Sequence, residues 1–193
     1  NPAEHVRKTS VSSACGLCGR SSVSSLIRLN APTLPINRKI LTSSISKSVD
    51  LLRSRQELFS RTGGSHAAAI VDYNGNLISV SEDVGRHNAV DKIAGWMMIN
   101  KTLPDDKIFY TTGRLTSEMV IKTVLMGIPI LVSRSGFTES GVSLAKEANL
   151  TLVGRAKGKR MIIANGKERI VFDVNIKNLN LYDTKSAQQK ILE

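Results

Sequence analysis

The chain has two thiols, and both fall in Cys15-Gly16-Leu17-Cys18-Gly19. A thiolate is the nucleophile that lifts the outer sulfur from a persulfide, and it must travel between donor and acceptor. Gly16 and Gly19 free the backbone to present the sulfur, and Arg20 favours the thiolate. The same spacing serves as half of a zinc site or as a thioredoxin-type redox pair. Zinc requires a second pair of ligands. There is no second CxxC, and His5, His66 and His87 show no paired spacing. A redox pair usually opens a helix after a strand, whereas this one lies in a Ser-rich stretch. Sulfur or redox chemistry, zinc binding and incidental cysteines all stay open on the motif alone.

Further along, polar and glycine-rich turns recur. Thr62-Gly63-Gly64-Ser65-His66 permits close backbone approach to a ligand, or ends a helix and turns. Glu82-Asp83-Val84-Gly85-Arg86-His87-Asn88 sits where a strand yields to a helix, the place where ligands bind in α/β sheets. Its helix N-terminal amides and Arg86 suit a phosphate, and His87 titrates near neutrality, although plain capping would look similar. Gly113-Arg114-Leu115-Thr116-Ser117, with Lys122 one turn on, repeats the pattern. Ser133-Arg134-Ser135-Gly136-Phe137-Thr138 repeats it again. Three such turns along one sheet edge predict a polyanion site. There Arg86, Arg114, Lys122 and Arg134 neutralise phosphates. Ser117, Ser133, Ser135 and Thr138 donate hydrogen bonds beside Gly64 and Gly136. His66 and His87 either shape the pocket or move protons.

The elements that must position these turns follow from periodicity. Apolar residues from Ile40 to Leu58 fall near helical spacing, predicting one or two helices after Pro35. His66–Tyr73 and Leu77–Val80 flank Asn74-Gly75, a strong hairpin signal. Asn88–Ile99, Ser117–Met126 and Thr138–Ala148 read as helices, the second ended by Gly127. Lys107–Thr112, Ile128–Val132 and Thr151–Gly154 read as strands, and Arg160–Ile163 with Ile170–Val174 as a last hairpin around Asn165-Gly166. The rhythm predicts a three-layer α/β fold, its mixed sheet covered by helices on both faces. The expected division is a flexible loop carrying the CxxC over 1–25, an α/β core over 26–175, and a C-terminal tail or helix over 176–193.

Composition bounds the rest. The apolar fraction of 41% supports a core for one domain, filled by aliphatic side chains because aromatics make up only 4%. No apolar run reaches the length of a membrane span, and the polar N-terminus carries no signal-peptide pattern. Two cysteines are too few for a secreted disulfide scaffold, which predicts a cytoplasmic chain. The formal charge of +11 is concentrated in residues 1–62 and 114–170, with a mildly acidic segment between. Such a field attracts phosphates.

Taken in order, CGLCG, TGGSHAAAI, EDVGRHNAVDKIAGW, TGRLTSEMVIK, GIPILVSRSG and LTLVGRAKGKR resemble the formate dehydrogenase accessory sulfurtransferases, over about Cys15 to Ile170. The resemblance implies a cytidine-deaminase-like core, a homodimer, and a carrier that takes sulfur from a cysteine desulfurase. The client it implies is the molybdenum bis(molybdopterin guanine dinucleotide) cofactor, sulfurated before insertion into formate dehydrogenase, with no permanently bound metal. It makes Cys15 the persulfide carrier and Cys18 its assistant. It places a guanine nucleotide on the core, with Met161, Ile162, Ile163, Ala164, Asn165 and Gly166 as part of that site. This last segment is less aromatic than in many relatives and lacks a His found there. Two other classes are weighed. A zinc nucleoside deaminase needs a His/Cys-x-Glu and a Pro-Cys-x-x-Cys, and neither is present. A nucleic-acid-binding module interleaves basic with aromatic residues, and aromatics are scarce. Neither nucleic acid nor membrane is an expected partner.

Overall fold

The structure, a computed structural model, describes residues 32–35, 38–158 and 160–173, and the backbone of 179–181. Cys15 and Cys18, and the loop expected over 1–25, lie outside the described residues. In chain order the elements are β1 (Ile40–Leu41), α1 (Thr42–Ser54), α2 (Glu57–Thr62), β2 (His66–Asp72) and β3 (Leu77–Asp83). Next come α3 (Arg86–Ile99), β4 (Lys107–Thr111), α4 (Ser117–Leu125), β5 (Ile130–Ser133) and α5 (Glu139–Glu147). The last are β6 (Thr151–Lys157), β7 (Arg160–Asn165), β8 (Ile170–Val171) and β9 (Leu179–Leu181).

Among the described residues seven strands form one mixed sheet in the order β3-β2-β4-β5-β6-β7-β9. β4, β5 and β6 run parallel, while β2 and β7 run against them. The alternation along β2 divides the core. Ala67, Ala69 and Val71 face α1, packing with Ile45, Val49 and Leu52. Ala68 and Ile70 face the other way, toward Val90 and Ile93 of α3, Val120 and Val124 of α4, and Val142 and Ala145 of α5. The expected layers are therefore present, with α1 on one face and α3, α4 and α5 on the other among the described residues. No helix among the described residues is long and apolar enough to cross a membrane.

The Asn74-Gly75 hairpin forms as expected. Gly75 is left-handed at φ +80°, and an added Cβ would lie 2.4 Å from the Ser44 carbonyl oxygen, so the turn seats directly on α1. The last expected hairpin does not form. β7 pairs instead with β6, Leu152 opposite Asn165, because Gly158 at φ +55° lets the chain reverse earlier. β7 also buries Met161 and Ile163 on one face and Ala164 on the other, which requires an interior strand. After Gly166 a short 3-10 turn buries Arg169, whose Nε donates to the Pro35 carbonyl at 3.0 Å. This carries the chain across to β1, with which β8 pairs in parallel. Leu179–Leu181, expected in a loose tail, adds a strand beside β7.

Candidate functional site: a basic cleft at one sheet edge

The strand directions bring the three predicted turns together. The carboxyl ends of β3, β4, β5 and β6 and the amino ends of β2 and β7 share one edge. Side-chain hydroxyls stitch the turns there. Ser133 Oγ donates to the Gly113 carbonyl at 2.6 Å and accepts from the Ser135 amide at 2.9 Å. Ser135 Oγ donates to the Thr112 carbonyl at 2.9 Å, and the Leu115 amide donates to the Gly136 carbonyl at 3.0 Å. At the first turn Asp83 accepts from the Gly85 amide and pairs with Lys92 at 2.7 Å. The Lys92 bond, then the Gly85 amide, holds its carboxyl down at about 2.

Between this edge and the α1–α2 corner lies a cleft of about 770 Å³. Arg134, Arg155, Lys157 and Arg160 line it, all exposed, and no acidic side chain among the described residues does. None of the four has an ion pair among the described residues. Ser65, His66, Thr112, Ser135 and Gly136 line the side nearer β2, with Gln56 and Phe59 from the corner and Met161 and Ile162 from β7. Arg155 is aimed by backbone distortion. β6 shifts register between Gly154 and Lys157, Arg155 takes φ +51°, and its amide donates to the Ser135 carbonyl at 2.8 Å. A left-handed non-glycine residue within a strand costs roughly 1–2 kcal/mol, and such strain gathers at functional sites. His66 Nδ1 sits 3.4 Å from Thr112 Oγ1. Burial, and then the nearby Arg86 guanidinium, lower its pKa, which favours the neutral imidazole. Arg86 packs on Gly113 just behind the cleft, where an added Cβ would lie 3.0 Å from Arg86 Cβ. Its Nε is buried and without a hydrogen-bond partner among the described residues. Four cations without an ion pair among the described residues, beside an imidazole whose charged form is disfavoured, suit a phosphate-bearing ligand.

The predicted residues separate into three groups. His66, Arg134, Ser135, Gly136, Met161 and Ile162 line the cleft. Gly64, exposed, precedes its rim, and Arg114 is exposed on the second turn. A second group braces neighbouring structure. Ser133 is buried and ties one turn to the next. Thr138 caps α5 by accepting from the Gly141 amide at 3.1 Å, and Ser117 Oγ donates to Ser140 Oγ at 3.1 Å. Lys122 pairs with Asp91 at 2.6 and 2.8 Å between α3 and α4, so its charge is matched away from the cleft. His87 lies near that pair, and burial followed by Arg86 and Lys122 lowers its pKa. The third group runs off the edge altogether. Each strand residue advances roughly 3.3 Å, so Asn165 lies roughly 16 Å along β7 from Arg160. Ile163 and Ala164 are buried in opposite core layers. Asn165 Nδ2 donates to the carbonyls of Ala145 and Leu150, and Gly166 packs on Thr151. Of the six-residue segment expected to hold nucleotide, only Met161 and Ile162 line the cleft.

The sequence reading missed Gln56, Phe59, Ser65, Thr112, Arg155, Lys157 and Arg160 as site residues. The available signal was the basic run Arg155 to Arg160, spanning the turn between β6 and β7.

The FdhD/NarQ family model matches residues 1–171. A sulfur carrier protein FdhD of Streptomyces coelicolor is 39% identical over 170 residues, covering 85% of this chain and 59% of that relative. Its counterpart in Saccharolobus solfataricus is 39% identical over 166 residues, covering 86% of this chain and 63% of the relative. A crystal structure from Desulfotalea psychrophila, described as a formate dehydrogenase accessory protein, superposes with a TM-score of 0.69 at 33% identity. It covers 76% of this chain and 62% of that one. This chain therefore spans about three fifths of the length of these relatives. With the family model matched across the motif-bearing core and the same fold in a solved relative, the chain belongs to the FdhD/NarQ family.

Proposed function

We propose that this chain is a sulfur carrier whose cleft holds a phosphate-bearing cofactor while Cys15 delivers sulfur to it. The observation that carries the reading is the set of four cations around one cleft with no ion pair among the described residues, in a chain with a single CxxC. The printed names of the relatives, sulfur carrier protein FdhD, support it. In the first step the Cys15 thiolate attacks the outer sulfur of a desulfurase persulfide. The donor's S–S bond breaks, the donor leaves as its thiolate, and Cys15 becomes Cys–S–SH. Cys18 assists. The client is the molybdenum bis(molybdopterin guanine dinucleotide) cofactor on its way to formate dehydrogenase, and the cytoplasm is where this happens. Its guanine nucleotide arm suits the cleft, with phosphates at Arg134, Arg155, Lys157 and Arg160, while Ser135, whose hydroxyl is already given to the Thr112 carbonyl, holds the turn beside them. A homodimer and a cytidine-deaminase-like core complete the reading. The three-layer order, with a hairpin leading into three parallel strands, supports the core assignment.

Reach does not oppose this. Pro32 lies beside Gly127, at the sheet edge opposite the cleft. Cys15 precedes Pro32 by seventeen residues, which extend to at most roughly 60 Å, against roughly 23 Å for the seven residues of β2. Mass spectrometry after incubation with a cysteine desulfurase and cysteine tests the proposal. One added sulfur mass that Cys15→Ala abolishes is expected. Stoichiometric zinc with no sulfur gain would point to a metal site. Salt-steep binding to RNA or DNA that nucleotide does not displace would point to a nucleic-acid module. Either result overturns the reading.

A further inference from the structure

Beside its cations the cleft has one phenyl ring among the described residues, Phe59, which is 40% exposed. It rides on α2, a six-residue helix with no buried residue and no side-chain cap of its own. A helix that short does not hold itself together in water. Its anchor comes from β3. Glu82 Oε2 accepts from the Leu58 amide at 2.7 Å, and Oε1 accepts from the Phe59 amide at 2.9 Å. Ser65 Oγ, on the cleft rim, also donates to Oε1 at 2.9 Å. One carboxylate thus takes two otherwise orphaned amides of the first helical turn and fixes the rim beside them.

We propose that Glu82 is a positioning residue that holds α2 so that Phe59 forms a stacking wall for a flat heteroaromatic ring joined to the bound phosphates. An exposed phenyl ring that lines the same cleft as four cations adds nothing to the core. It does suit the base of a nucleotide whose phosphates are drawn to the guanidinium groups lining that cleft. The cleft thereby selects a nucleoside diphosphate over a bare diphosphate. This rests on the nucleotide reading given above, and the experiment separates the two. GDP and inorganic pyrophosphate are titrated against the full chain and its variants by calorimetry. The wild type is expected to prefer GDP by roughly tenfold. Phe59→Ala and Glu82→Ala bring that preference near unity, and Glu82→Gln, which keeps one acceptor oxygen, falls between. Arg134→Ala weakens both ligands and keeps the preference. If Glu82→Ala weakens both ligands alike, its role is structural and the inference fails. A preference that survives Phe59→Ala, which leaves the helix anchor in place, also defeats it. A wild type that binds neither ligand overturns the nucleotide reading itself.

Discussion

Gly154 on β6 sits under the ring of Phe137, and Gly154→Ala tests whether the third turn is as rigid as its hydrogen bonds imply. An added Cβ would lie 2.5 Å from Phe137 Cδ1 and 2.9 Å from Cε1. Non-bonded carbons prefer roughly 3.5–4.0 Å, so the ring must retreat by roughly 1 Å. It is poorly placed to do so. The Thr138 amide donates to the Leu115 carbonyl at 3.1 Å and the Leu115 amide to the Gly136 carbonyl at 3.0 Å, which pins the backbone on both sides of Phe137. The ring itself packs against the core layer of α3 to α5. Overpacking of this kind costs roughly 1–3 kcal/mol, offset by roughly 0.4–1 kcal/mol from the reduced freedom of the unfolded chain. A net loss of about 1–2 kcal/mol lowers Tm by roughly 2–8 °C in a chain of this size. Gly136→Ala is the control, because its Cβ would meet nothing nearer than Arg155 Nε at 3.9 Å. Thermal unfolding followed by circular dichroism reads both variants, and Gly154→Ala should also weaken pyrophosphate binding because Ser135 and Gly136 move with Phe137. If Gly154→Ala melts with the wild type, the turn yields freely and the rigidity argued for this edge is wrong.

Other outcomes follow from the same geometry. Arg155→Ala or Arg160→Ala removes one charge-assisted contact each, so pyrophosphate binding weakens about tenfold and its salt dependence flattens in calorimetric titrations at rising ionic strength. Asn165→Ala strips the donor from the Ala145 and Leu150 carbonyls and costs about 1–3 kcal/mol in urea unfolding, yet leaves pyrophosphate affinity at the wild-type value, because Asn165 is off the cleft edge. Stability falls in two windows as pH drops. His66 and His87 have lowered folded pKa values, so the unfolded chain takes up protons first and stability declines from about pH 6.5 downward. Asp83 and Asp173 are held at about 2, so their contribution is present above the unfolded value of 3.8 and is lost between there and about pH 2. Urea unfolding across pH checks this, and an Asp83→Asn variant should flatten the lower window only.

The sequence by itself determined the features that depend on near neighbours. The strand–helix rhythm, the Asn74-Gly75 turn, the Gly127 helix end and the three polar turns were all legible, because periodicity and turn chemistry act within a few residues. The family motifs were legible for the same reason, as unbroken runs. What only the tertiary structure decided is which distant residues meet. Lys122 reads as a phosphate clamp until Asp91, thirty-one positions away, is found beside it. Met161 to Gly166 reads as one binding segment until β7 proves antiparallel to β6, which leaves its first residues at the cleft and carries the rest to the far edge. Phe59 and Arg155 stand ninety-six positions apart in the sequence, yet they line one cavity. Such pairings are settled by which arrangement buries both faces of the sheet with the shortest loops, a global balance that no local window contains.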